Sequence, residues 1–306
     1  MDSSREADRE KRRVATTSVA GAVVLTGFKI VVGLSTGSLG ILAEAAHSGL
    51  DLIAAVMTWL AVRISSRPAD HSHRYGHGKV ENLSALFETA LLLVTCVWIM
   101  YGAVERLKAG KVEIEVTFWS FLVMAVSIAI DVSRSRALYR AARKYNSQAL
   151  EADALHFSTD IWSSGVVILG LICVAAGDYA PRFGWLRYAD AVAAIIVALI
   201  VIFVCYRLGM RTVHALLDAA PEGMEEKIVA AAESLAGVRD CHNVRMRYSG
   251  AQLFVDVHVL VDGSQSLQSA HDLTEEVERA IQAVAPNADV TVHPEPAPPS
   301  ASSAGA

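Results

Sequence analysis

Six long apolar runs, separated by short polar segments, occupy the first two thirds of the chain. They lie near residues 14–34, 39–64, 80–103, 116–138, 148–177 and 185–208. A hydrocarbon layer of roughly 30 Å needs about 20 apolar residues in a helix, so each run is long enough to cross a bilayer once a few polar insertions are allowed. The pattern therefore predicts six transmembrane helices.

A different pattern begins after Arg211, where apolar and polar positions alternate over short distances. PEGMEEKIVAAAESLAG has acids near its start and Gly237 at its end, which is typical of a helix. VRDCHNVRMRYSG and QLFVDVHVLVDG alternate as a hairpin does. SLQSAHDLTEEVERAIQAV predicts a second amphipathic helix and ADVTVH a third strand. The order αββαβ predicts a small α+β domain, with two helices on one face of a three-stranded sheet.

These patterns divide the chain into four parts. We expect an N-terminal tail at 1–13, a transmembrane domain at 14–212, a cytosolic αββαβ domain at 213–294 and a tail at 295–306. The C-terminal stretch PEPAPPSASSAGA, from Pro294 to the end, is rich in Pro, Ala and Ser, and its composition indicates disorder. The predicted fold class is an α-helical membrane protein with a C-terminal α+β domain of ferredoxin-like type.

Composition agrees with a location in a membrane. Hydrophobic residues make up 53% of the 306 residues and charged residues only 19%, and the mean hydropathy is +0.37, which is too apolar for an ordinary soluble protein. The net charge of -5 gives no argument for nucleic acid as a partner. The four cysteines form no CxxC pair, so neither a disulfide framework nor a thiolate metal site is indicated.

Basic residues are unevenly distributed among the connections between the runs, and this bias predicts orientation. The N-terminus and the connections after the second and fourth runs are rich in Lys and Arg, whereas the alternate connections are sparse. The basic residues are Arg5, Arg9, Lys11, Arg12, Arg13, Arg63, Arg67, Arg74, Lys79, Arg134, Arg136, Arg140, Arg143 and Lys144. We therefore expect both termini in the cytoplasm and the protein in the cell (inner) membrane.

Two apolar runs contain the same arrangement of histidine and aspartate. The second run includes EAAHSGLD, with His47 and Asp51, and the fifth includes DALHFSTD, with His156 and Asp160. Residues four apart lie on one face of a helix, so each pair points in one direction. Two such pairs facing each other supply two imidazoles and two carboxylates, which suit a tetrahedral transition-metal ion, zinc first.

A purely structural role for these four residues is the alternative. Polar side chains can join membrane helices by hydrogen bonds without any ion. An acid at a helix centre costs on the order of 3 kcal/mol, however, so two acids and two histidines in two helices favour a functional role over a structural one.

With these residues the chain resembles the cation diffusion facilitator family of metal transporters, from about Arg13 to Glu295. The resemblance rests on the paired HxxxD motifs, on PADHSHRYGHGK after the second run, and on the histidine-bearing αββαβ domain. It implies that His47, Asp51, His156 and Asp160 form the transport site, and that a histidine as the first ligand goes with a preference for zinc. It also implies a homodimer in the membrane lipid that exchanges cytoplasmic metal for protons.

A second group of candidate ligands follows the second run and consists of Asp70, His71, His73 and His77. Their density within eight residues favours a peripheral metal site. The alternative is a solvated loop whose histidines meet phosphate or water. The resembled family usually has an Asp where this chain has His71, so Asp70 can substitute from the neighbouring position.

A third group lies in the cytosolic domain, where sequence spacing alone does not bring the residues together. The resemblance implies a regulatory zinc site formed by His242, His258, His271, His293 and Glu295. The family has an Asp where this chain has Glu295, a longer carboxylate that can still ligate. Ordinary surface positions for His258 and His271, and Asp256 as another oxygen ligand, are the alternatives.

Three further points concern single side chains. The resemblance implies an ion pair between Lys79 and Asp218, which joins the third helix to the cytosolic domain; two separately solvated residues are the alternative. Glu44 and Asp153 each precede a histidine by one turn. They either orient the imidazoles or are ordinary acids near a helix end, and we leave them out of the ligand set.

The function expected from these residues is proton-coupled antiport of a divalent metal, with Zn²⁺ as the first choice and Cd²⁺, Fe²⁺, Co²⁺ and Mn²⁺ as alternatives. Zinc bound by two aspartates and two neutral histidines is formally neutral, whereas the empty site holds two carboxylates that protons can neutralise. A membrane metalloenzyme needs an open ligand position and a general base, and a passive channel needs weak ligand rings. Both remain alternatives.

Overall fold

The computed structural model describes residues 2–109, 118–179, 189–286 and 288–297. The chain divides into two compact units, residues 1–213 and residues 214–306. The connections predicted around 104–115 and 178–184 fall largely outside the described residues, and so does the tail after residue 297.

The first unit is built from six helices, which confirms the predicted helical membrane fold. They are α1 (Asp2–Thr36), α2 (Leu39–Ser65), α3 (Lys79–Ala109), α4 (Phe118–Tyr145), α5 (Gln148–Tyr179) and α6 (Ala189–Leu216). Within the described residues, four segments are long and apolar enough to cross a membrane: Glu6–Thr36, Glu44–Ser65, Lys79–Glu105 and Ile195–Leu216.

Local sequence explains the sharp turns between successive helices. Gly37, with a φ of 66°, ends α1, and the Ser38 hydroxyl then accepts a hydrogen bond from the backbone N–H of Ile41. The turn between α4 and α5 places Asn146 at a φ of 48°. Asn tolerates this left-handed conformation better than most residues, and Ser147 caps the following helix by accepting from Leu150 N–H.

Two apolar clusters hold the bundle together and place α5 at its centre. One joins α1, α2, α4 and α5 around residues such as Ala55, Leu138 and Phe157. The other joins α3, α5 and α6 around residues such as Leu92 and Val201. The first is rich in alanine, whose small side chain lets helices approach closely inside a membrane. Helix α2 packs against α1, α3 and α5, so the two helices with the HxxxD motifs are neighbours.

The polar N-terminal segment, expected as a tail at 1–13, is helical in the structure. The first helix begins at Asp2 and continues through the charged residues into the apolar run. Lys11 is buried and lies 3.0 Å from Glu81 Oε1 on α3. Glu81 also accepts a hydrogen bond from Ser65 at 2.8 Å and another from Ser147. The segment extends α1 because a buried acid on α3 holds one of its lysines.

Arg134 also differs from its expected place among solvated basic residues. Helix α4 continues to Tyr145, and Arg134 is buried within the bundle. Its guanidinium donates to Ser18 and lies 3.6 Å from the ring centroid of Phe157. A planar, delocalised cation stacks well on an aromatic face, which explains why this arginine is tolerated there.

The second unit has the predicted αββαβ order. After residue 214 it contains α7 (Met224–Glu233), β1 (Asp240–Ser249), β2 (Gln252–Val261), α8 (Leu267–Val284) and β3 (Asp289–Pro296). The sheet order is β1-β2-β3, with β1 antiparallel to β2 and β3 parallel to it. Helix α7 contacts α8 and β1, and α8 contacts β3.

Alternation along the central strand separates a core face from an open face. Val255, Val257 and Val259 on β2 are buried together with Val277 and Ile281 on α8. The intervening residues of β2, which include His258, point to the opposite face because successive side chains of a strand alternate.

The third strand is longer than its sequence indicated. It extends to Pro296, two residues beyond the expected end of the domain. Pro294 and Pro296 are accommodated because β3 is an edge strand, where a missing N–H need not interrupt the ladder.

Candidate metal sites

Four side chains from α2 and α5 converge in the membrane unit. His156 Nε2 lies 3.0 Å from Asp51 Oδ1 and 3.8 Å from Asp160 Oδ2. His47 Nε2 lies 3.9 Å from Asp51 Oδ1 and 3.9 Å from Asp160 Oδ1. Each histidine therefore faces the aspartate of its own helix and that of the other helix.

These separations can be compared with the geometry of a tetrahedral ion. Ligand atoms about 2.1 Å from zinc in a tetrahedron are about 3.4 Å apart. The four histidine–aspartate separations run from 3.0 to 3.9 Å, a range that includes this value. His47, Asp51 and Asp160 can each present one ligand atom within 4.8 Å of the others.

Burial makes this cluster electrostatically unusual. The side chains of His156 and Asp51 are 3% and 13% exposed, whereas His47 is 41% exposed. Two carboxylates removed from water must be compensated by cations, protons or hydrogen bonds. A divalent cation, or protonation of the neighbouring imidazoles, would supply that compensation.

Charged residues that the sequence analysis did not select surround the cluster. Asp131 on α4 is buried, and it interacts electrostatically with Asp160 and Asp51. Arg134 lies 3.5 Å from Asp131, and Lys29 on α1 is buried beside α2. The signal that revealed the HxxxD motifs is a charged residue inside an apolar run. Asp131 and Lys29 give the same signal and could have been found by it.

A second group of ligand atoms lies in the connection between α2 and α3. Asp70 Oδ1 lies 3.3 Å from His73 Nδ1, and Asp70 Oδ2 lies 3.3 Å from His77 Nε2. All three residues can present ligand atoms within 4.8 Å of one another. His71 is exposed and is not among the residues that this turn brings together.

The turn itself fixes the Asp70 carboxylate. The backbone N–H groups of His73 and Ser72 donate to it at 2.7 and 2.9 Å. These bonds, that from His73 first, hold the pKa of Asp70 below its usual range. The group therefore stays ionised at neutral pH and is ready to bind a cation. His71 is close to Asp70 in sequence, but the bend of the backbone turns its side chain away from the other three residues.

The sheet of the second unit aligns three histidines across its strands. His242 on β1 is in register with His258 on β2, and His258 is in register with His293 on β3. The ring centroids of His242 and His258 are 5.7 Å apart, and those of His258 and His293 are 4.8 Å apart. Residues far apart in sequence thus become neighbours on one face.

Glu295 completes this group. Its Oε1 lies 2.7 Å from His258 Nδ1 and 3.8 Å from His293 Nε2, while Oε2 lies 3.5 Å from His242 Nε2. The hydrogen bond from His258, the largest influence, keeps the pKa of Glu295 below its ordinary value. The longer carboxylate reaches all three imidazoles.

His271 and Asp256 lie outside this group. His271 is on α8 and lies 3.6 Å from Glu275, with an exposed side chain. Asp256 is in register with Arg245 and Thr291. The sheet face brings together His242, His258, His293 and Glu295, so the helical histidine of the expected set is separated from them by the sheet's own geometry.

Three of the remaining candidates have clear contacts. Asp218 Oδ2 lies 3.5 Å from Arg247 Nη1 within the cytosolic unit. Glu44 contacts Lys29, and Asp153 accepts a hydrogen bond from Ser18 at 3.3 Å. Lys79 is the first residue of α3. Its pairing with Asp218 would join the two units and stays a prediction.

A helical membrane bundle with converging imidazoles and carboxylates, joined to an α+β domain with a histidine-lined sheet, defines a metal-transporting membrane protein. Family models agree: the cation efflux transmembrane domain matches residues 15–217, and the cation efflux protein cytoplasmic domain matches residues 220–297. The chain belongs to the cation efflux, or cation diffusion facilitator, family of metal transporters.

Similar proteins cover almost the whole chain. The cation-efflux pump FieF of Shewanella oneidensis is 31% identical over 280 residues, which are 91% of this chain and 92% of the relative. FieF of Klebsiella pneumoniae is 32% identical over 290 residues, covering 92% and 91%. A solved MamM CTD is 28% identical with a TM-score of 0.25, covering 26% of this chain and all of that one.

Proposed function

We propose that the protein is a proton-coupled antiporter that exports Zn²⁺ from the cytoplasm. The observation that carries this proposal is the convergence of His47, Asp51, His156 and Asp160 from two neighbouring helices. The ion is the transported substrate, and these four side chains are its proposed ligands. The cation-efflux pumps among the relatives support outward transport of a cation.

The ligand chemistry supports zinc over harder ions. Two nitrogens and two oxygens form a mixed set that suits zinc, and tetrahedral coordination is common for it. Cadmium, iron, cobalt and manganese are the ions against which this preference must be measured. Manganese prefers oxygen ligands and should be the weakest competitor among these on chemical grounds.

Charge balance supports coupling to protons. A divalent ion offsets the two aspartates, and its departure leaves two carboxylates in a largely buried site. Imidazole titrates near pH ~6.5 in water, within the range in which cells operate. Protons entering from the opposite side can therefore restore neutrality and favour the metal-free state. Alternate occupancy by metal and protons then biases the bundle between inward-facing and outward-facing conformations.

The two peripheral groups fit supporting roles at the cytoplasmic side. We assign Asp70, His73 and His77 to a loop metal site, and His242, His258, His293 and Glu295 to a regulatory zinc site. The protein then lies in the inner membrane with both termini in the cytoplasm. Both groups are therefore accessible to cytoplasmic metal ions. The assembly we propose is a homodimer, with Lys79 and Asp218 paired where the third helix meets the cytosolic domain.

Transport measurements test the proposal directly. Purified protein in proteoliposomes should accumulate Zn²⁺ when an opposing proton gradient is imposed, and collapse of the gradient with an ionophore should slow uptake. Parallel assays with Cd²⁺, Fe²⁺, Co²⁺ and Mn²⁺ give the selectivity. Zinc flux that is independent of the proton gradient and does not saturate with zinc concentration would indicate a passive channel instead.

A further inference from the structure

Lys29 is a buried cation in the middle of the apolar segment of α1. Its relative exposure is 4%, and the surrounding sequence is LTGFKIVVG. Lysine is almost never fully buried unless it is paired, because removing an ammonium group from water is costly. Its position inside a membrane bundle therefore calls for a specific role.

Among the described residues, the hydrogen bonds of the Lys29 ammonium are made to α2, close to the proposed transport site. Its Nζ donates to Ser48 Oγ at 2.7 Å and pairs with Glu44 Oε2 at 3.3 Å. The Thr26 hydroxyl donates to the backbone carbonyl of Ser48 at 3.0 Å. These bonds fasten α1 to α2 at the residue immediately after His47.

Helical spacing places this ammonium between two acids. Glu44 precedes Ser48 by four residues and Asp51 follows it by three, so all three lie along one face of α2. Lys29 also interacts electrostatically with Asp51 and with Asp131. An ammonium held at Ser48 thus has an acid one turn away in each direction.

The two acids differ in their surroundings. The Glu44 side chain is 63% exposed and stands at the first position of the membrane-spanning segment Glu44–Ser65, so its charge lies outside the interior of the bundle when Lys29 leaves. Asp51 is 13% exposed, and after a metal ion departs its charge must be offset within the bundle, by His156 at 3.0 Å and by other neighbouring cations or protons. Lysine is a point charge on a flexible stem with three donors, and it can keep its bond to Ser48 while changing its acidic partner.

We propose that Lys29 is a tethered counter-ion of the transport site. It pairs with Glu44 when the metal ion is bound and turns towards Asp51 when the ion leaves. This role rests on the proposed function, and it deepens it by assigning a residue that sets metal affinity. Lys29 competes with the metal ion for the Asp51 carboxylate, and it thereby weakens binding and speeds release.

Substitutions with opposite expected signs test this role. Lys29→Met keeps the apolar stem and removes the charge, so the KM for Zn²⁺ in proteoliposomes should fall about tenfold because a nearby repulsive charge is lost. Its kcat should fall as well, since release becomes slower. Glu44→Gln removes the competing acid and should raise KM. Lys29→Arg retains the charge and should keep KM within about twofold of the wild-type value.

A purely structural role for Lys29 predicts a different result. Loss of a fastening between α1 and α2 would lower kcat and leave KM unchanged or higher. Any one of three results overturns the counter-ion role. The KM does not fall in Lys29→Met, the KM falls in Glu44→Gln, or the KM falls as much in Lys29→Arg as in Lys29→Met. If Lys29→Met does not fold, the rise or fall of KM in Glu44→Gln decides alone.

A binding measurement separates this inference from the transport function. Zn²⁺ titration of detergent-solubilised full-length protein, with Asp51→Ala as reference, isolates the site that depends on Asp51. Lys29→Met should tighten that site even if the wild-type protein transports no zinc, in which case only the transport function fails. Absence of any Asp51-dependent zinc binding overturns both.

Discussion

Lys11 on α1 and Glu81 on α3 form a buried ion pair, with 3.0 Å between Nζ and Oε1. Glu81 accepts additional hydrogen bonds from Ser65 at the end of α2 and from Ser147 at the start of α5. One carboxylate therefore connects four helices, including the two that supply the proposed transport ligands.

Removing the cation from this pair should destabilise the bundle strongly. Lys11→Met leaves the Glu81 charge buried and uncompensated, which costs about 3–5 kcal/mol. Thermal unfolding in detergent should show a large decrease in midpoint temperature, and adding Glu81→Leu to Lys11→Met should restore part of it. Lys144→Met, which removes an exposed partner of Glu10, should lower the midpoint far less, because water screens an exposed ion pair. Equal midpoints for the two single variants would show that burial of the pair is unimportant.

Asp51→Ala and Asp160→Ala should each abolish zinc transport. Each change removes a proposed ligand and half of the carboxylate charge that offsets the ion. The measurement is initial zinc uptake into proteoliposomes at matched protein density, with Glu105→Ala on the exposed surface of α3 as the control acid. Near wild-type uptake by either aspartate variant would refute the proposed transport site.

His47→Asp should reduce the preference for zinc. The proposed ligand set would change from two nitrogens and two oxygens to one nitrogen and three oxygens, which suits harder cations such as manganese. The pH dependence should change too, since an imidazole is replaced by a carboxyl group that ordinarily titrates near ~4. Competitive uptake of zinc against manganese and cadmium at two pH values measures both effects. Unchanged preference and unchanged pH dependence together would exclude His47 as a ligand.

The pattern of apolar residues predicts much of this architecture. A helix in lipid gives a long apolar run, whereas a strand that packs on a core gives alternating apolar and polar positions. Helices α2 and α5 and the strand around Val257 follow directly from it. Side-chain direction in turns does not, as His71 and His73 illustrate: positions two residues apart project differently once the backbone bends. The grouping of His258 with His293 depends on strand register, which a single sequence does not contain.

The cytosolic histidines should bind zinc in an isolated fragment from His214 to Ala297. This unit has its own apolar core around Val257 and Ile281 and should fold alone. Replacing His258 and His293 together by Ala should weaken zinc binding, whereas His271→Ala, which changes an exposed histidine outside the group, should not. Full-length protein with the double change should retain transport. Calorimetry that finds no zinc affinity in the unmodified fragment would refute the regulatory site.

Glu295 should contribute to the acid sensitivity of that fragment. Its pKa is lowered in the folded domain, chiefly by the hydrogen bond from His258, so its ionised form favours folding above the ordinary value of 4.5. That contribution is lost as pH falls through the lowered pKa. Chemical unfolding without metal should show a smaller stability loss for Glu295→Gln than for wild type below that value. Identical pH profiles would contradict this assignment.

The alignment of His242, His258 and His293 across three strands links metal affinity to correct strand pairing. A slip of one residue between β2 and β3 would turn His293 to the opposite face of the sheet. An ion held by this row would thus stabilise only the native register and discriminate against misaligned forms. The edge strand β3, which pairs with a neighbouring strand on one side only, would gain most from such selection. Cytoplasmic zinc would in this way favour correct pairing of the strands.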